Sequence, residues 1–336
     1  MRVRSASLAV LSVLLVAGVI LFASCARLRC IVGAHSTHES KDLRINAAID
    51  GWKLLNPSVD GLTVYVKGET SDPPILLLHE IPGLLPETVR FADQLVDHKY
   101  HVYMPLFFGS FSGRIGAVRQ MLEVCGGHDF NCLSADESPV VAKLKDLRDR
   151  IAEDHKDHKQ RMGIIGMCLT GGMPLSLVND NVAAVVLSQP AVPFPLTDAK
   201  RHSLGADLGP ITDPKNETAV LGIRFDKDCL AVSERFEDLQ KKIESRLDLC
   251  VVTSKDEHAH SVLTVEGHNL HFESPQKQEP STKKAKEKAA REKAAHDEAQ
   301  KAISHAFLFL GKYLKQENGG YAPCQSPPIS LPSPPE

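Results

Sequence analysis

The sequence lacks the marks of several protein classes. It has no Cys-x-x-Cys pair, and its eight cysteines are spread over 336 residues, so neither a zinc ribbon nor a dense disulfide scaffold is indicated. The formal net charge is only −3, which provides no global basic field for nucleic acid. Phosphate-binding loops and dinucleotide fingerprints are also missing. We therefore expect no nucleic-acid partner, no cofactor and no metal.

The composition itself is that of an average globular protein. Hydrophobic residues make up 43% and charged residues 24% of the chain, which excludes a wholly disordered chain and a polytopic membrane protein. The length suggests about two domains, but both ends differ from the middle. We predict a linker over residues 26–45 and a single domain over residues 46–315.

The N-terminus has the pattern of an export signal. Basic residues within 1–4 precede an apolar run over 8–23, and a small residue and a cysteine follow. Residues 22–25 resemble the lipobox of bacterial lipoproteins, in which the cysteine is lipidated. We predict a lipoprotein signal with Cys25 as the lipidation candidate, or else an uncleaved anchor or simple signal. Each interpretation predicts an exported protein of the cell envelope, and the first two tether it to the membrane.

The C-terminal part has two unusual segments. Residues 316–336 are rich in Pro and Ser, which predicts a disordered tail. A stretch rich in Lys, Glu and Ala lies at about 275–301, where we predict a charged helical insertion. We interpret it as the extended first part of a helix that continues through 302–310. A partner-binding helix is the alternative.

Strand and helix patterns alternate through the middle of the chain. Continuous apolar strands separated by helices predict an α/β fold with a mostly parallel sheet covered on both faces. In such a sheet, functional groups gather at the carboxyl ends of the strands. The predicted strands are 62–66, 75–79, 101–104, 162–165, 183–187, 219–225 and 249–253, and the predicted helices are 86–98, 140–159, 169–178, 232–247 and a last helix.

The sharpest motif is Gly-Met-Cys-Leu-Thr-Gly-Gly over 166–172. It lies between a predicted strand and a predicted helix, which is the setting of a nucleophile elbow. Cys168 would be the nucleophile, and a helix N-terminus would favour its thiolate form. The alternative is a buried, inert cysteine in a glycine-rich turn.

Together with His-Glu-Ile-Pro-Gly over 79–83, this motif resembles the dienelactone hydrolase family of α/β-hydrolases. The resemblance extends from about residue 61 to the last helix. It implies an α/β-hydrolase fold and the hydrolysis of an ester or lactone through an acyl-enzyme. The expected partner is therefore a small-molecule ester or lactone.

The resemblance also implies a Cys-His-Asp triad. The acid should follow the next-to-last strand, where Asp228 matches best and Asp226 is the competitor. The base should follow the last strand, where His260 is favoured and His268 is next. Each histidine in that stretch qualifies by position.

Three further groups are implied at the site. Glu80 matches the family glutamate that takes the proton of the cysteine, although it could also be a salt-bridged loop residue. The backbone N–H groups of Leu169 and Ile81 would form the oxyanion hole. The family's arginine after the histidine is missing from residues 261–267, which argues against a dienelactone as substrate. Residues 107–139 could line the pocket.

Other candidate sites are weaker. His155 and His158 lie among acidic residues, and we interpret them as solvated side chains rather than a metal site. In an oxidising compartment, two cysteine pairs could form disulfides: Cys125 with Cys132, and Cys229 with Cys250.

Two functions therefore remain after the sequence is read. The first is an exported hydrolase of the dienelactone hydrolase type that uses Cys168. The alternative is a catalytically silent hydrolase-fold lipoprotein that acts as a binding or scaffolding module. The sequence does not predict an oligomeric state.

Overall fold

The structure is a computed structural model. It describes residues 51–81, 83–84, 86–107, 124, 130, 138–158, 160–192, 202, 208–254, 261–264, 283–317 and 319–324. The predicted signal with Cys25, the predicted linker, and both candidate histidines, His260 and His268, lie outside these residues.

Eight strands form a single mixed sheet in the order β1-β2-β4-β3-β5-β6-β7-β8. Strands β3 to β8 run parallel, whereas β1 and β2 pair antiparallel at one edge. The predicted α/β class with a mostly parallel sheet is confirmed. The strands are β1 (Lys53–Leu54), β2 (Thr63–Lys67), β3 (Pro74–Leu78), β4 (His101–Leu106), β5 (Met162–Met167), β6 (Val182–Ser188), β7 (Ala219–Phe225) and β8 (Leu247–Val252).

Helices cover both faces of this sheet. α2 and α4 pack with one buried apolar cluster, and α1 and α5 pack with the other. Successive strand residues point to opposite faces, so Ile164 joins the first cluster and Ile165 the second. The α-helices are α1 (Pro86–Asp97), α2 (Pro139–Asp154), α3 (Gly209–Thr212), α4 (Ser233–Ile243) and α5 (Lys283–Lys315), and the 3-10 turns are Lys156–His158, Cys168–Thr170, Met173–Leu177 and Glu244–Arg246.

α5 is one continuous helix of 33 residues. It begins in the charged stretch and continues through the apolar one, so the single-helix interpretation is confirmed. Its apolar part lies directly on β5. A Cβ atom at Gly163 would come within 2.8 Å of Leu314 Cδ1, so the glycine allows this close approach.

Three sequence predictions of local structure were wrong. β4 does not stop before Pro105 but continues to Leu106. Its last pair with β3 is at Tyr103, so the missing N–H of the proline breaks no bond to that strand. The helix predicted over 169–178 is two 3-10 turns, because two glycines and Pro174 interrupt it. His155 is not solvated but fully buried.

The C-terminal segment makes defined contacts as far as Cys324, so the predicted disorder from residue 316 was wrong for this part. A disulfide joins Cys324 to Cys250 on β8, which also excludes the Cys229–Cys250 pair. Cys229 is itself disulfide-bonded, to a cysteine outside the described residues. The candidates Cys125 and Cys132 lie outside them as well.

Among the described helices, none combines the length and the apolar character needed to cross a membrane.

Candidate active site

The carboxyl end of β5 turns sharply at Cys168. This residue is buried and has a φ of +51°, a conformation that costs a non-glycine residue energy and is concentrated at functional sites. A Cβ atom at Gly166 would collide with the carbonyl oxygen of Thr170, and one at Gly171 would lie 2.6 Å from Pro190 Cα. The two glycines therefore permit the tight turn that presents the thiol.

Thr170 fastens this turn to the neighbouring strand β3. Its hydroxyl oxygen accepts a hydrogen bond from the Met167 N–H (3.0 Å), and the hydroxyl donates toward the Leu78 carbonyl (2.9 Å). On the other side, the Ala191 N–H donates to the carbonyl of Cys168 (2.9 Å). The nucleophile candidate is thus held from both neighbouring strand ends.

The helix expected to support a thiolate at Cys168 is only a three-residue 3-10 turn. Its dipole is that of three peptide units, far smaller than that of a full α-helix. Activation of the thiol therefore depends on side chains near the elbow more than on a helix N-terminus.

Glu80, just past the end of β3, is such a side chain. It is 1% exposed, and its carboxylate accepts hydrogen bonds from the hydroxyls of Thr264 (2.6 Å) and Ser261 (2.9 Å) and from the amide of Gln189 (3.4 Å). All three of these donors are neutral. The described contacts therefore do not support the alternative that Glu80 is a salt-bridged loop residue.

These bonds also position the segment that follows β8. Ser261 and Thr264 come directly after His260 in the chain, and both lie against Glu80. His260 itself lies outside the described residues. Sequence reasoning missed the two hydroxyl residues and Gln189, because their contacts with Glu80 span 109 to 184 positions and carry no local motif.

The two aspartates after β7 have different surroundings. Asp228 is buried, and its Oδ1 accepts the N–H groups of Leu230 and Ala231 at 2.9 Å each. Asp226 is half-buried and accepts the Ser254 N–H (3.0 Å), which links the ends of β7 and β8. The buried position suits a group that orients a histidine, and the second position suits a structural bridge.

His79 is held as a neutral ring. The Phe107 N–H donates to its Nε2 (3.2 Å), so its Nδ1–H donates to the Glu80 carbonyl (2.9 Å). Burial lowers the pKa of His79 to about 4. These contacts fit a structural residue that shapes the chain around Glu80.

The backbone N–H groups of Ile81 and Leu169 belong to buried residues and could serve as oxyanion donors. Both residues are at most 2% exposed, and neither N–H has a hydrogen-bond acceptor among the described residues. Buried backbone N–H groups are nearly always paired, so two such groups beside the elbow and the end of β3 form a ready site for an oxyanion.

Comparison with known proteins gives one family match. The model of the dienelactone hydrolase family matches residues 59–304. No curated protein matches the chain.

Several solved structures are similar in fold. A dienelactone hydrolase from Anabaena variabilis is 15% identical, with a TM-score of 0.47, over 78% of this chain and 98% of that one. The esterase Pf2001 from Pyrococcus furiosus is 13% identical, with a TM-score of 0.49, over 80% and 95% of the two chains.

Proposed function

Because this chain belongs to the dienelactone hydrolase family, we propose that it is a hydrolase that cleaves an ester or lactone with Cys168 as nucleophile. The observation that carries this proposal is the buried Cys168 at a φ of +51°, followed by the N–H of Leu169, which like that of Ile81 has no acceptor among the described residues. A merely structural cysteine would need neither the backbone strain nor such donors.

The reaction would proceed in two stages. His260 takes the thiol proton, and Cys168 Sγ attacks the carbonyl carbon to form an acyl-enzyme while the proton passes to the leaving alcohol. Water then attacks the acyl group with His260 as base, which releases the acid and restores the thiol. Asp228 orients the imidazole and stabilises its cation.

Because this scheme gives the thiol proton to His260, Glu80 acts in it as a positioning residue rather than as the proton acceptor that the resemblance implies. Its carboxylate holds Ser261 and Thr264, and these residues continue the segment that carries His260. Removal of the carboxylate should therefore misplace the base and lower kcat more than it raises KM.

The same surroundings favour an uncharged substrate. Glu80 and Asp228 are buried carboxylates near the elbow, and Thr264 stands within the stretch that has no arginine. Two described arginines lie at this edge, and both donate to backbone carbonyls: Arg224 to Ala231 and Asp226, and Arg235 to Pro190. An acyl group that carries its own carboxylate would meet repulsion from the buried carboxylates of Glu80 and Asp228.

We propose further that the protein is exported and tethered to the membrane. The support is the pattern of residues 1–25, with basic residues, an apolar run and Cys25. Globomycin treatment of cells that express the chain should block maturation if Cys25 is lipidated. If globomycin leaves the mass of the protein unchanged, Cys25 is not lipidated and residues 1–25 act as a simple signal or an anchor.

The test of the hydrolase proposal uses neutral p-nitrophenyl esters. Cys168→Ala should lower kcat/KM by about 10,000-fold or more, and a rapidly quenched reaction of the wild type should show the acyl group on the peptide that contains Cys168. Ser176→Ala is the matched control, since it removes a buried hydroxyl in the following 3-10 turn. Activity that survives in Cys168→Ala would contradict the proposal, and a wild type without any activity would favour the binding module.

A further inference from the structure

Four metal-binding side chains meet on the face of the sheet that α5 covers. Asp248 and Cys250 lie two positions apart on β8, His305 lies on α5, and Cys324 lies in the C-terminal segment. Their ligand atoms all lie within 4.8 Å of one another. The two cysteines are joined as a disulfide, and none of the four takes part in the proposed reaction.

We propose that reduction of this disulfide converts the cluster into a zinc site with Cys250, Cys324, His305 and Asp248 as its four ligands. Two thiolates, one imidazole and one carboxylate suit the tetrahedral coordination and the mixed N, S and O preference of Zn²⁺. Soft thiolate ligands also disfavour Mg²⁺ and Ca²⁺, which require oxygen.

The oxygen and nitrogen ligands already face each other. His305 Nε2 lies 2.7 Å from Asp248 Oδ2, and the Cys324 N–H donates to Asp248 Oδ1 (2.9 Å). The Tyr321 hydroxyl also donates to Asp248 Oδ2 (2.5 Å). Outer contacts of this kind orient metal ligands and raise their affinity.

The site is enclosed enough to be structural. The side chains of Asp248 and His305 are 9% and 13% exposed, and Cys250 is buried. The ring of Tyr321 packs on that of His305, with centroids 5.1 Å apart. Little water would reach a bound ion, as in closed structural zinc sites.

The disulfide would open by thiol–disulfide exchange. A dithiol reductant gives two electrons and two protons to the disulfide, which becomes two thiols while the reductant forms its own disulfide. Zn²⁺ then displaces both thiol protons and forms two Zn–S bonds. His305 binds through Nε2 as a neutral imidazole, with its proton on Nδ1, and Asp248 supplies an oxygen. The C-terminal segment thus stays fastened to β8 in both redox states.

The experiment measures zinc in the full chain before and after reduction. The protein is reduced with a phosphine, desalted without oxygen, incubated with ZnCl₂ and desalted again, and zinc per chain is measured by mass spectrometry. We expect about one tightly bound zinc in the reduced protein and none in the oxidised protein. Cobalt in place of zinc should give a thiolate-to-metal charge-transfer band.

Variants locate the ion. Cys250→Ser and His305→Ala should lose the stoichiometric zinc, and Tyr321→Phe should weaken binding by about 10-fold. The matched controls are His296→Ala, on the same helix, and Cys229→Ser, which removes the other described disulfide-bonded cysteine. Both should keep the zinc.

Two results would overturn the proposal. One is a reduced wild type that binds no zinc while its circular dichroism stays native. The other is zinc that persists in Cys250→Ser or His305→Ala. If reduction unfolds the chain, zinc should restore the native spectrum, and a failure to restore it would count equally against the site.

Discussion

The two edges of the sheet carry different kinds of buried polar groups. At the carboxyl edge, a nucleophile candidate lies in a strained turn and Glu80 is held by neutral donors. At the amino edge, His101 Nδ1 lies 3.0 Å from His155 Nε2, and the Tyr103 hydroxyl lies 3.1 Å from the same His155 nitrogen. Both groups are buried, and both contain residues that are common in active sites.

This contrast shows that the burial of polar residues does not by itself indicate an active site. The histidines and the tyrosine at the amino edge bond to one another through His101 Nδ1 and His155 Nε2, although His155 Nδ1 has no partner among the described residues. The carboxyl edge adds a cysteine at positive φ, followed by a backbone N–H that has no acceptor among the described residues. A strained thiol next to such a donor, rather than titratable side chains alone, marks the edge suited to chemistry.

The two aspartates of the carboxyl edge, Asp228 and Asp226, should differ most in their effect on kcat. Asp228→Asn should lower kcat by about 1,000- to 10,000-fold, because an amide cannot stabilise the imidazolium. Asp226→Asn should lower kcat by less than about 10-fold, since the carboxylate of Asp226 accepts the Ser254 N–H and so links two strand ends rather than a catalytic group. Ester hydrolysis by the two folded variants decides between them, and the reverse ranking would make Asp226 the acid.

Acid should weaken the protein through its buried histidines at both edges. Burial lowers the pKa of His79 and of His101 to about 4, from 6.5, and also lowers that of His155. Between these values the unfolded chain binds more protons than the folded one, so the free energy of unfolding falls as the pH drops from about 6.5 to 4. The loss should reach roughly 3 kcal/mol at pH 4 for each of His79 and His101.

Urea unfolding at several pH values measures this loss. His101→Gln should flatten the dependence. The carboxyls of Asp238 and Asp248 have a lowered pKa, so they add their loss mainly below pH 4. Stability that stays constant between pH 6.5 and 4.5 would contradict the buried neutral histidines.

The elbow should be sensitive to a single methyl group. Gly166→Ala places a Cβ against the Thr170 carbonyl and 2.8 Å from Pro174 Cδ, which should lower the free energy of unfolding by roughly 2 to 3 kcal/mol. Gly319→Ala is the control, because a Cβ there has no atom within 4 Å. Equal effects of the two changes would argue against the tight turn.

The smallest effect compares one threonine from each edge. Thr264→Val should lower the free energy of unfolding by about 2 kcal/mol, because the buried carboxylate of Glu80 loses a donor. Thr218→Val should lower it by about 1 kcal/mol, because the lost hydroxyl donates to the neutral carbonyl of Val182 (2.8 Å). Only Thr264→Val should lower kcat/KM, by about 10-fold. An equal loss of activity in Thr218→Val would contradict the claim that only the carboxyl edge contributes to catalysis.

Local patterns predicted the fold class and the elbow. Apolar strand runs and the glycines around Cys168 depend only on residues that are close in the chain. The parallel sheet and the tight turn could therefore be predicted from the sequence. Long-range partners could not. The bonds of Glu80 to Thr264 and of Cys250 to Cys324 depend on where distant segments pack, and the sequence has no periodic signal for them. The break between the 3-10 turns that begin at Cys168 and Met173 did have a local signal, because Pro174 cannot donate the backbone hydrogen bond that a continuous helix requires.

The disulfide between Cys250 and Cys324 has a topological consequence. It closes a covalent ring across a sequence separation of 74, and this ring contains His260, the charged stretch and all of α5. A single backbone cut between the two cysteines would therefore release no fragment. Denaturing electrophoresis would show an intact mass without reductant and two pieces with it, with the candidate catalytic base tethered to β8 in both directions along the chain.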